Sequence, residues 1–217
     1  MNRLTQEKRA HILHLLVEGS SLRATSRIAD VSYNTVLKFF ADAGRACEKY
    51  QDTTLNNLSC KRVQVDEIWS FVYAKQKNVT SAKAAPEGAG DVWTWVGIDA
   101  QTKLVASWLV GSRDGDTAKT FVKDLASRLA NRIQLTSDGH KAYLEAVEDA
   151  FGAGVDYAML QKIYGRAAEG EKRYSPAECI GCKTKVIEGK PDPKHISTSY
   201  VERQTSRCAC RCAALLD

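Results

Sequence analysis

Residues 62–73 read RVQVDEIWSFVY, and this stretch decides the fold. Polar residues alternate in it with β-branched or aromatic ones, which is the pattern of a half-buried strand. Asp66 interrupts the face that otherwise has the character of a buried one. A charged, glycine-bearing loop over residues 75–90 separates this strand from two more runs of strand character, residues 92–98 and 103–110. We therefore predict three consecutive strands in meander order.

Two helices and a further strand are predicted after the meander. Residues 114–117 read DGDT, a helix start, and apolar side chains recur at helical spacing as far as residue 131. A short strand over residues 132–136 stops at the turn residues 137–139, and a second helix follows over residues 140–151. The order β-β-β-α-β-α is that of the ribonuclease-H-like fold, a mixed sheet with helices on both faces. The predicted fold class is thus α/β.

The first fifty residues predict a small all-α domain of the helix-turn-helix kind. Thr5 and Ser32 offer N-caps for the first and third of three short helices. In the helix-turn-helix plan the last helix enters the major groove and its early residues face base edges. The residues so placed are Tyr33, Asn34, Thr35 and Lys38. A three-helix bundle that docks proteins or dimerises is an open alternative.

Domain boundaries follow from these patterns and from the charge distribution. We predict a helix-turn-helix domain over residues 1–50, a polar linker over 51–60 and a ribonuclease-H-like domain over 61–204. The net charge is +5, but residues 1–62 carry ten Lys or Arg against six Asp or Glu, while the rest of the chain is nearly balanced. A basic amino-terminal third indicates a polyanionic partner.

Composition excludes several other classes of protein. The chain has 217 residues, of which 44% are hydrophobic and 26% charged, as in ordinary globular proteins. No uncharged apolar run approaches the roughly 18 to 20 residues of a bilayer span, and residues 1–8 lack the apolar core of a signal peptide. We expect a cytoplasmic protein with no membrane partner. Its seven cysteines, an odd number without even spacing, are predicted to be reduced thiols.

Two acids stand out by their positions. Asp66 lies within the first strand, and Asp138 lies at the carboxyl end of a later one. Strand ends of this kind carry the chemistry of open α/β sheets. If the two strands are neighbours, the carboxylates converge, and a divalent cation such as Mg²⁺ would offset their repulsion. For each acid alone, a turn, a bulge or protection of a sheet edge is an alternative explanation.

Four ordered motifs resemble the DDE transposases of bacterial insertion sequences, in particular the group of the founding insertion sequence. The resemblance extends over nearly the whole chain through Gln204 and includes the basic amino-terminal helices. The motifs are VDEIW at 65–69, WTWVGID at 93–99, TSDGHKAY at 136–143 and HISTSYVERQ at 195–204.

The resemblance implies metal-dependent cleavage of DNA at the ends of a mobile element and strand transfer to target DNA. Asp66, Asp138 and Glu202 would be the catalytic, metal-binding acids, with two Mg²⁺ or Mn²⁺ ions bound between them. Asp99 and Glu67 are decoys on this view, since Asp99 suits a turn and Glu67 points to the opposite face of the strand from Asp66.

The family also implies the partners of the chain. These are double-stranded DNA of the element ends and of the target, further copies of the chain assembled on that DNA, and a location on the bacterial nucleoid. Lys194, His195 and Arg203 would face the DNA backbone, with plain solvated charges as the alternative. His140 is expected either to cap the following helix or to orient a phosphate.

The resemblance stops after Gln204. The family continues with a long helix rich in Arg and Met, whereas residues 205–217 here read TSRCACRCAALLD. Codons for alternating Met and Arg, read one base out of frame, give Cys and Ala. We therefore interpret residues 205–217 as a frameshifted tail and expect transposition to be impaired, because the remaining turns of that helix would fix Glu202.

Three alternatives stay open. A helix-turn-helix regulator, or an inhibitor that occupies the element ends without catalysis, fits the same domain order. A zinc site is conceivable from Cys179, Cys182, Cys208, Cys210 and Cys212. A ribonuclease-H-like nuclease acting on another substrate is the third.

Overall fold

The computed structural model describes residues 4–165 and 179–206 of the chain. These residues fall into two compact units, one that ends at Leu55 and one over Asn56–Thr205. Within the described ranges, no helix combines the length and the apolar character needed to cross a bilayer.

The second unit contains both helices and strands, while the first unit is all helix. The helices are α1 (Gln6–Val17), α2 (Leu22–Ile28), α3 (Tyr33–Thr54), α4 (Gln76–Val79), α5 (Gly115–Arg128), α6 (Ala142–Phe151) and α7, which begins at residue 199 and is described as far as 206. The strands are β1 (Arg62–Val72), β2 (Gly90–Asp99), β3 (Val105–Gly111), β4 (Gln134–Ser137), β5 (Asp156–Tyr164) and β6 (Cys179–Glu188).

The three helices of the first unit begin at side-chain caps. Hydroxyl oxygens of Thr5, Ser21 and Ser32 each accept a hydrogen bond from the backbone N–H three residues on, which satisfies a donor that has no partner within the helix. A small core holds the helices together; its buried members are Ile12, Leu16, Leu22, Ala29 and Val36.

Helix α3 is longer than the sequence pattern predicts. We expected it to run toward Ala46 and to be followed by a linker over 51–60, but it continues through Thr54. Residues 45–54 contain neither Gly nor Pro, so nothing in them stops a helix. The Thr53 hydroxyl also donates to the carbonyls of Lys49 and Tyr50 in the preceding turn, so this polar side chain is satisfied within the helix. Residues 51–54 of the predicted linker are therefore helical.

A six-stranded mixed sheet forms the centre of the second unit, in the order β3-β2-β1-β4-β5-β6. Strands β1, β2 and β3 pair antiparallel as a meander, β1–β4 and β4–β5 pair parallel, and β5–β6 pair antiparallel. The mixed α/β fold predicted from the sequence is thus confirmed. The pairing of β4 between β1 and β5 places distant parts of the chain side by side.

The main core lies between the sheet and helices α5 and α6. Odd-numbered residues of β1, such as Val63 and Val65, point into it together with Trp95 of β2. Phe121 of α5 and Tyr143 of α6 are fully buried against them. Burying side chains of this size contributes on the order of 2 kcal/mol each, which makes this face the main source of stability.

The opposite face of the sheet carries α7. Val201 of α7 is completely buried and packs with Val96 and Ile98 of β2. Gln64 of β1, also buried, accepts hydrogen bonds through Oε1 from the backbone N–H groups of Tyr200 and Val201. These bonds satisfy donors at the start of α7 and fix that start over β1.

Strands β1 and β2 extend beyond their neighbours. β4 pairs with β1 only as far as Val65, and β3 pairs with β2 only as far as Trp93. Ser70–Val72 and Gly90–Val92 therefore form a two-stranded ribbon. The loop that closes the ribbon contains α4 and is tied down where the backbone N–H of Gln76 donates to the Asp91 carboxylate.

Candidate active site

Asp66 and Asp138 meet where the parallel pairing of β1 and β4 ends. Val65 and Ser137 are the last residues paired between β1 and β4, so each acid is one residue beyond the end of the pairing. Side-chain oxygens of Asp66, Glu67 and Asp138 lie within 4.8 Å of one another. The structure thus brings together two of the three acids expected at the site, and adds Glu67 to them.

The carboxyl of Asp66 has a strongly raised pKa. Burial, together with the charges of Glu67, Asp138 and Glu202, raises the pKa of its carboxyl from 3.8 to about 7, against one backbone hydrogen bond that lowers it. The physical cause is that an ionised carboxylate loses solvation there and has acidic neighbours. A cation at this position would therefore offset an existing repulsion.

Glu67 is buried on the side of the sheet that carries α5 and α6. Its side chain is 1% exposed, and its Oε2 accepts a hydrogen bond from Nε of Arg113 at 3.1 Å. Burial raises the pKa of the Glu67 carboxyl, while the positive charge of Arg113 opposes that shift. Glu67 does lie on the opposite face of β1 from Asp66. Because β4 has ended at this point, the Glu67 carboxylate still lies within 4.8 Å of those of Asp66 and Asp138.

Buried polar atoms cluster around Glu67. Oε1 of Glu67, Nδ1 of His140 and the hydroxyl of Tyr143 make no hydrogen bond of ordinary geometry within the described part of the chain. Oε1 of Glu67 and Nδ1 of His140 are 3.7 Å apart, and the Tyr143 hydroxyl lies close enough to Glu67 to lower the pKa of its carboxyl. Buried polar atoms that are bonded this loosely mark a place where a ligand is expected.

His140 does not cap α6 with its side chain, so that expectation was wrong. Lys141 occupies the N-cap position, and no side-chain cap is present. The His140 ring instead packs against Trp95 and Tyr143, with ring centroids 5.8 and 6.0 Å away. The His140 backbone N–H donates to Oδ1 of Asp138 at 2.9 Å and so orients that carboxylate.

Glu202 lies on α7, on the Asp66 side of the sheet, but outside the group of three close carboxylates. Its Oε1 accepts a hydrogen bond from the Thr198 hydroxyl at 2.6 Å, and its Oε2 is paired with Nζ of Lys162 on β5. The charge of Glu202 nevertheless contributes to the raised pKa of Asp66. Both oxygens of Glu202 are therefore engaged by neighbours while its charge acts on the site.

Arg113 and Lys162 are site residues that the sequence did not reveal. Arg113, in the turn between β3 and α5, also lies 4.0 Å from Oδ2 of Asp138. Its turn is held where the buried Trp95 ring donates to the carbonyl of Ser112. A basic residue just before a helix start was an available but weak signal for Arg113. Lys162 gave no signal, because β5 was not predicted.

The residues expected to contact DNA lie at two places. Tyr33, Asn34, Thr35 and Lys38 occupy the start of α3, where Thr35 is half-buried and bonded to Ser32 while the other three are exposed. Lys194 and His195 lie in a short 3₁₀ turn, Pro193–His195, and Arg203 is exposed on α7. His195 Nε2 is 3.7 Å from the Asp192 carboxylate.

Two other expectations concern residues outside the carboxylate group. Asp99 accepts three hydrogen bonds from Gln101 and Thr102, which makes it a turn residue. Cys179 and Cys182 are exposed on β6, while Cys208, Cys210 and Cys212 lie outside the described residues, as does all of the 205–217 tail except 205 and 206.

Comparison with protein-family models and with curated protein sequences gave no match. Among solved structures, the chain is similar to a piggyBac transposase determined by cryo-EM as a synaptic complex with hairpin DNA. The TM-score is 0.43 and the identity 10%, over 80% of this chain and 46% of that one. The chain therefore spans less than half of that protein, and the likeness does not by itself establish a shared family.

Proposed function

We propose that the chain is a DDE-type DNA transposase with a ribonuclease-H-like fold, which cleaves the ends of a bacterial insertion sequence and joins them to target DNA. The observation that carries the proposal is the meeting of Asp66 and Asp138 just past the point where the parallel pairing of β1 and β4 ends. These residues come from two separate sequence motifs, and the sheet places their carboxylates together.

The side chains present fit a divalent metal. The carboxylates of Asp66, Glu67 and Asp138 crowd into one place, and burial makes that of Asp66 difficult to ionise without a cation. Hard oxygen donors of this kind suit Mg²⁺ or Mn²⁺. We propose that Asp66, Asp138 and Glu202 hold two ions. Such ions supply Lewis acidity that activates a water or 3′ hydroxyl and stabilises a leaving 3′ oxygen.

The residues around the carboxylates would prepare the site. The backbone N–H of His140 and the guanidinium of Arg113 orient Asp138 and partly neutralise it. Arg113 is 38% exposed in its side chain, so it is also available to a phosphate. Lys162 holds Glu202 in the described structure, and Glu202 would exchange this partner to join the site.

The first unit supports a role in binding the element ends. Helices α2 and α3 are joined by a short turn, and the start of α3 is capped and exposed. We propose that Tyr33, Asn34 and Lys38, with Thr35 beside them, approach base edges, and that Lys194, His195 and Arg203 contact phosphates. Copies of the chain would assemble on DNA within the bacterial nucleoid.

The test is cleavage of linear duplexes that carry the DNA flanking this gene, with Mn²⁺, Mg²⁺ or EDTA. We expect 3′-end nicking that needs a metal and is lost in Asp66→Asn and Asp138→Asn, with duplex binding retained. Asp149→Asn, an exposed acid on α6, is the matched control and should cleave normally. Cleavage that persists in Asp66→Asn would refute the proposed site.

A regulator that binds the element ends without cutting them is the second candidate. The observation that favours it is the pairing of Glu202 with Lys162 and Thr198, outside the close carboxylate group. Specific duplex binding without metal-dependent nicking in the wild-type chain would support this candidate over the transposase.

A further inference from the structure

A row of exposed aromatic rings follows β1 away from the carboxylates. Trp69, Phe71 and Tyr73 are 39%, 43% and 56% exposed. Trp69 and Phe71 lie within β1 at every second position from Glu67, so their side chains share the face on which Glu67 lies. Trp93 of β2, which is half-buried, is the partner of Trp69 across the strands. We call Trp69, Phe71, Tyr73 and Trp93 the aromatic row.

The row is an unusual surface for a folded chain. The Trp69 and Phe71 rings lie with centroids 5.7 Å apart, and the ribbon that carries Phe71 has no further strand on either side in the described structure. Large rings that remain exposed side by side mark a binding surface more often than isolated apolar residues do. A ligand with flat apolar faces would therefore fit the row.

Cations accompany the rings. Nζ of Lys75 lies 5.0 Å from the centroid of the Trp69 ring, and the Arg113 guanidinium carbon lies 4.7 Å from that of Trp93. Cations over aromatic faces make favourable contacts, and they place positive charge along the row. The matching ligand thus combines flat rings with negative charge.

Arg113 connects the row with the candidate active site. The same guanidinium that lies over Trp93 donates to Glu67 and is 4.0 Å from the Asp138 carboxylate. A chain-like ligand that contacts Arg113 at the row would therefore also lie near the carboxylates.

We propose that the aromatic row binds unpaired nucleotides of single-stranded DNA by base stacking, with Lys75 and Arg113 meeting the phosphates. Bases in a duplex are already stacked, whereas unpaired bases present free faces to the rings. A second copy of the chain fits less well, because a symmetric contact would bring the Lys75 and Arg113 charges of both copies together. The proposal rests on the proposed function only in taking DNA as the ligand.

The test is binding of a fluorescent oligothymidylate of about ten nucleotides to the full-length chain in EDTA, measured by anisotropy. We expect Phe71→Ala to weaken binding about 10-fold, and Phe71→Leu to weaken it as well, since stacking needs a ring. Val72→Ala is the matched control, because Val72 is adjacent, 47% exposed and on the opposite face of β1. It should bind like the wild type.

Three results would overturn the proposal. The first is that Phe71→Ala and Val72→Ala bind the oligonucleotide equally well. The second is that Phe71→Ala loses both binding and its thermal unfolding transition, while Phe71→Leu binds normally. The third is that sedimentation shows a dimer that depends on Phe71, while oligonucleotide binding does not depend on it. If oligonucleotide binding depends on Phe71 but the chain nicks no duplex, the binding site on the aromatic row is supported and the transposase function is refuted. Asp66→Asn should bind the oligonucleotide normally, which separates the two sites.

Discussion

Gln64 holds the start of α7: its Oε1 accepts a hydrogen bond from the backbone N–H of Val201 at 3.1 Å, and Glu202 is the next residue. A single buried amide on β1 thus sets the position of a candidate metal ligand that lies far away in the sequence. The same oxygen accepts a second bond from Tyr200.

Replacing Gln64 should therefore affect both stability and activity. Gln64→Leu leaves two N–H donors without their acceptor, and we expect a loss of about 1–3 kcal/mol in the free energy of unfolding, measured with urea. Nicking should fall with it, since Glu202 loses its support. Gln101→Leu, at an exposed turn position, is the control and should change neither quantity. Unaltered nicking in a destabilised Gln64→Leu would show that α7 does not serve the site.

Stability of the metal-free protein should depend on pH through Asp66. Its pKa is about 7 when folded, against 3.8 when unfolded, so between these values the unfolded chain has released a proton that the folded chain still holds. The contribution of Asp66 to stability is complete below pH 3.8 and is lost as the pH rises toward 7. Urea unfolding in EDTA across this range should show a steeper decline for the wild type than for Asp66→Asn. Parallel curves would contradict the raised pKa.

Lys162 should compete with a metal for Glu202. Removing the ammonium in Lys162→Met takes a positive charge away from the site, so we expect Mn²⁺ to bind several-fold more tightly, measured as the metal-dependent rise in melting temperature. Lys185→Met on β6 is a matched control, because Lys185 is exposed on the neighbouring strand. Weaker Mn²⁺ binding in Lys162→Met than in the control would mean that Lys162 supports the site.

Arg113 should stabilise the fold through Glu67. Arg113→Met leaves the Glu67 carboxylate buried without its ion pair, which is expected to cost about 3 kcal/mol. Glu67→Gln removes the charge that needs the pair, so the double variant should be more stable than Arg113→Met alone. Chemical unfolding of the four proteins gives the coupling energy. Additive losses would show that the two residues do not stabilise each other.

Local patterns predicted much of the fold. Alternation along residues 62–73 and the caps at Thr5, Ser32 and Asp114 were sufficient for the first strand and three of the helices, because caps and alternation are local signals. The extent of α3 was missed, since a polar sequence without Gly or Pro does not show where a helix ends. β5 and β6 were also missed, because no short motif marked them.

The candidate site was predicted only in part, for a similar reason. Asp66 and Asp138 could be chosen from their positions within and after predicted strands, but their meeting depended on those strands being neighbours, which the β1–β4 pairing supplies. Glu67 was correctly assigned to the other face of β1 from Asp66. Because β4 ends early, however, side chains on both faces of β1 approach Asp138. Where β4 ends depends on strand pairing, which the local sequence pattern does not show. Arg113 and Lys162 enter the site through contacts between distant segments, which single-sequence patterns do not contain.

The shortness of β4 has a further consequence. β4 is only four residues long, while β1 and β5 on either side continue past its end to Val72 and Tyr164. The sheet therefore has a notch between β1 and β5, with Asp138 at its floor and Asp66 at the start of one rim. Amide groups along such rims are fixed dipoles that no side-chain substitution removes. An unpaired strand edge offers both N–H and C=O groups, so a ligand in the notch would keep main-chain partners even when every carboxylate is replaced.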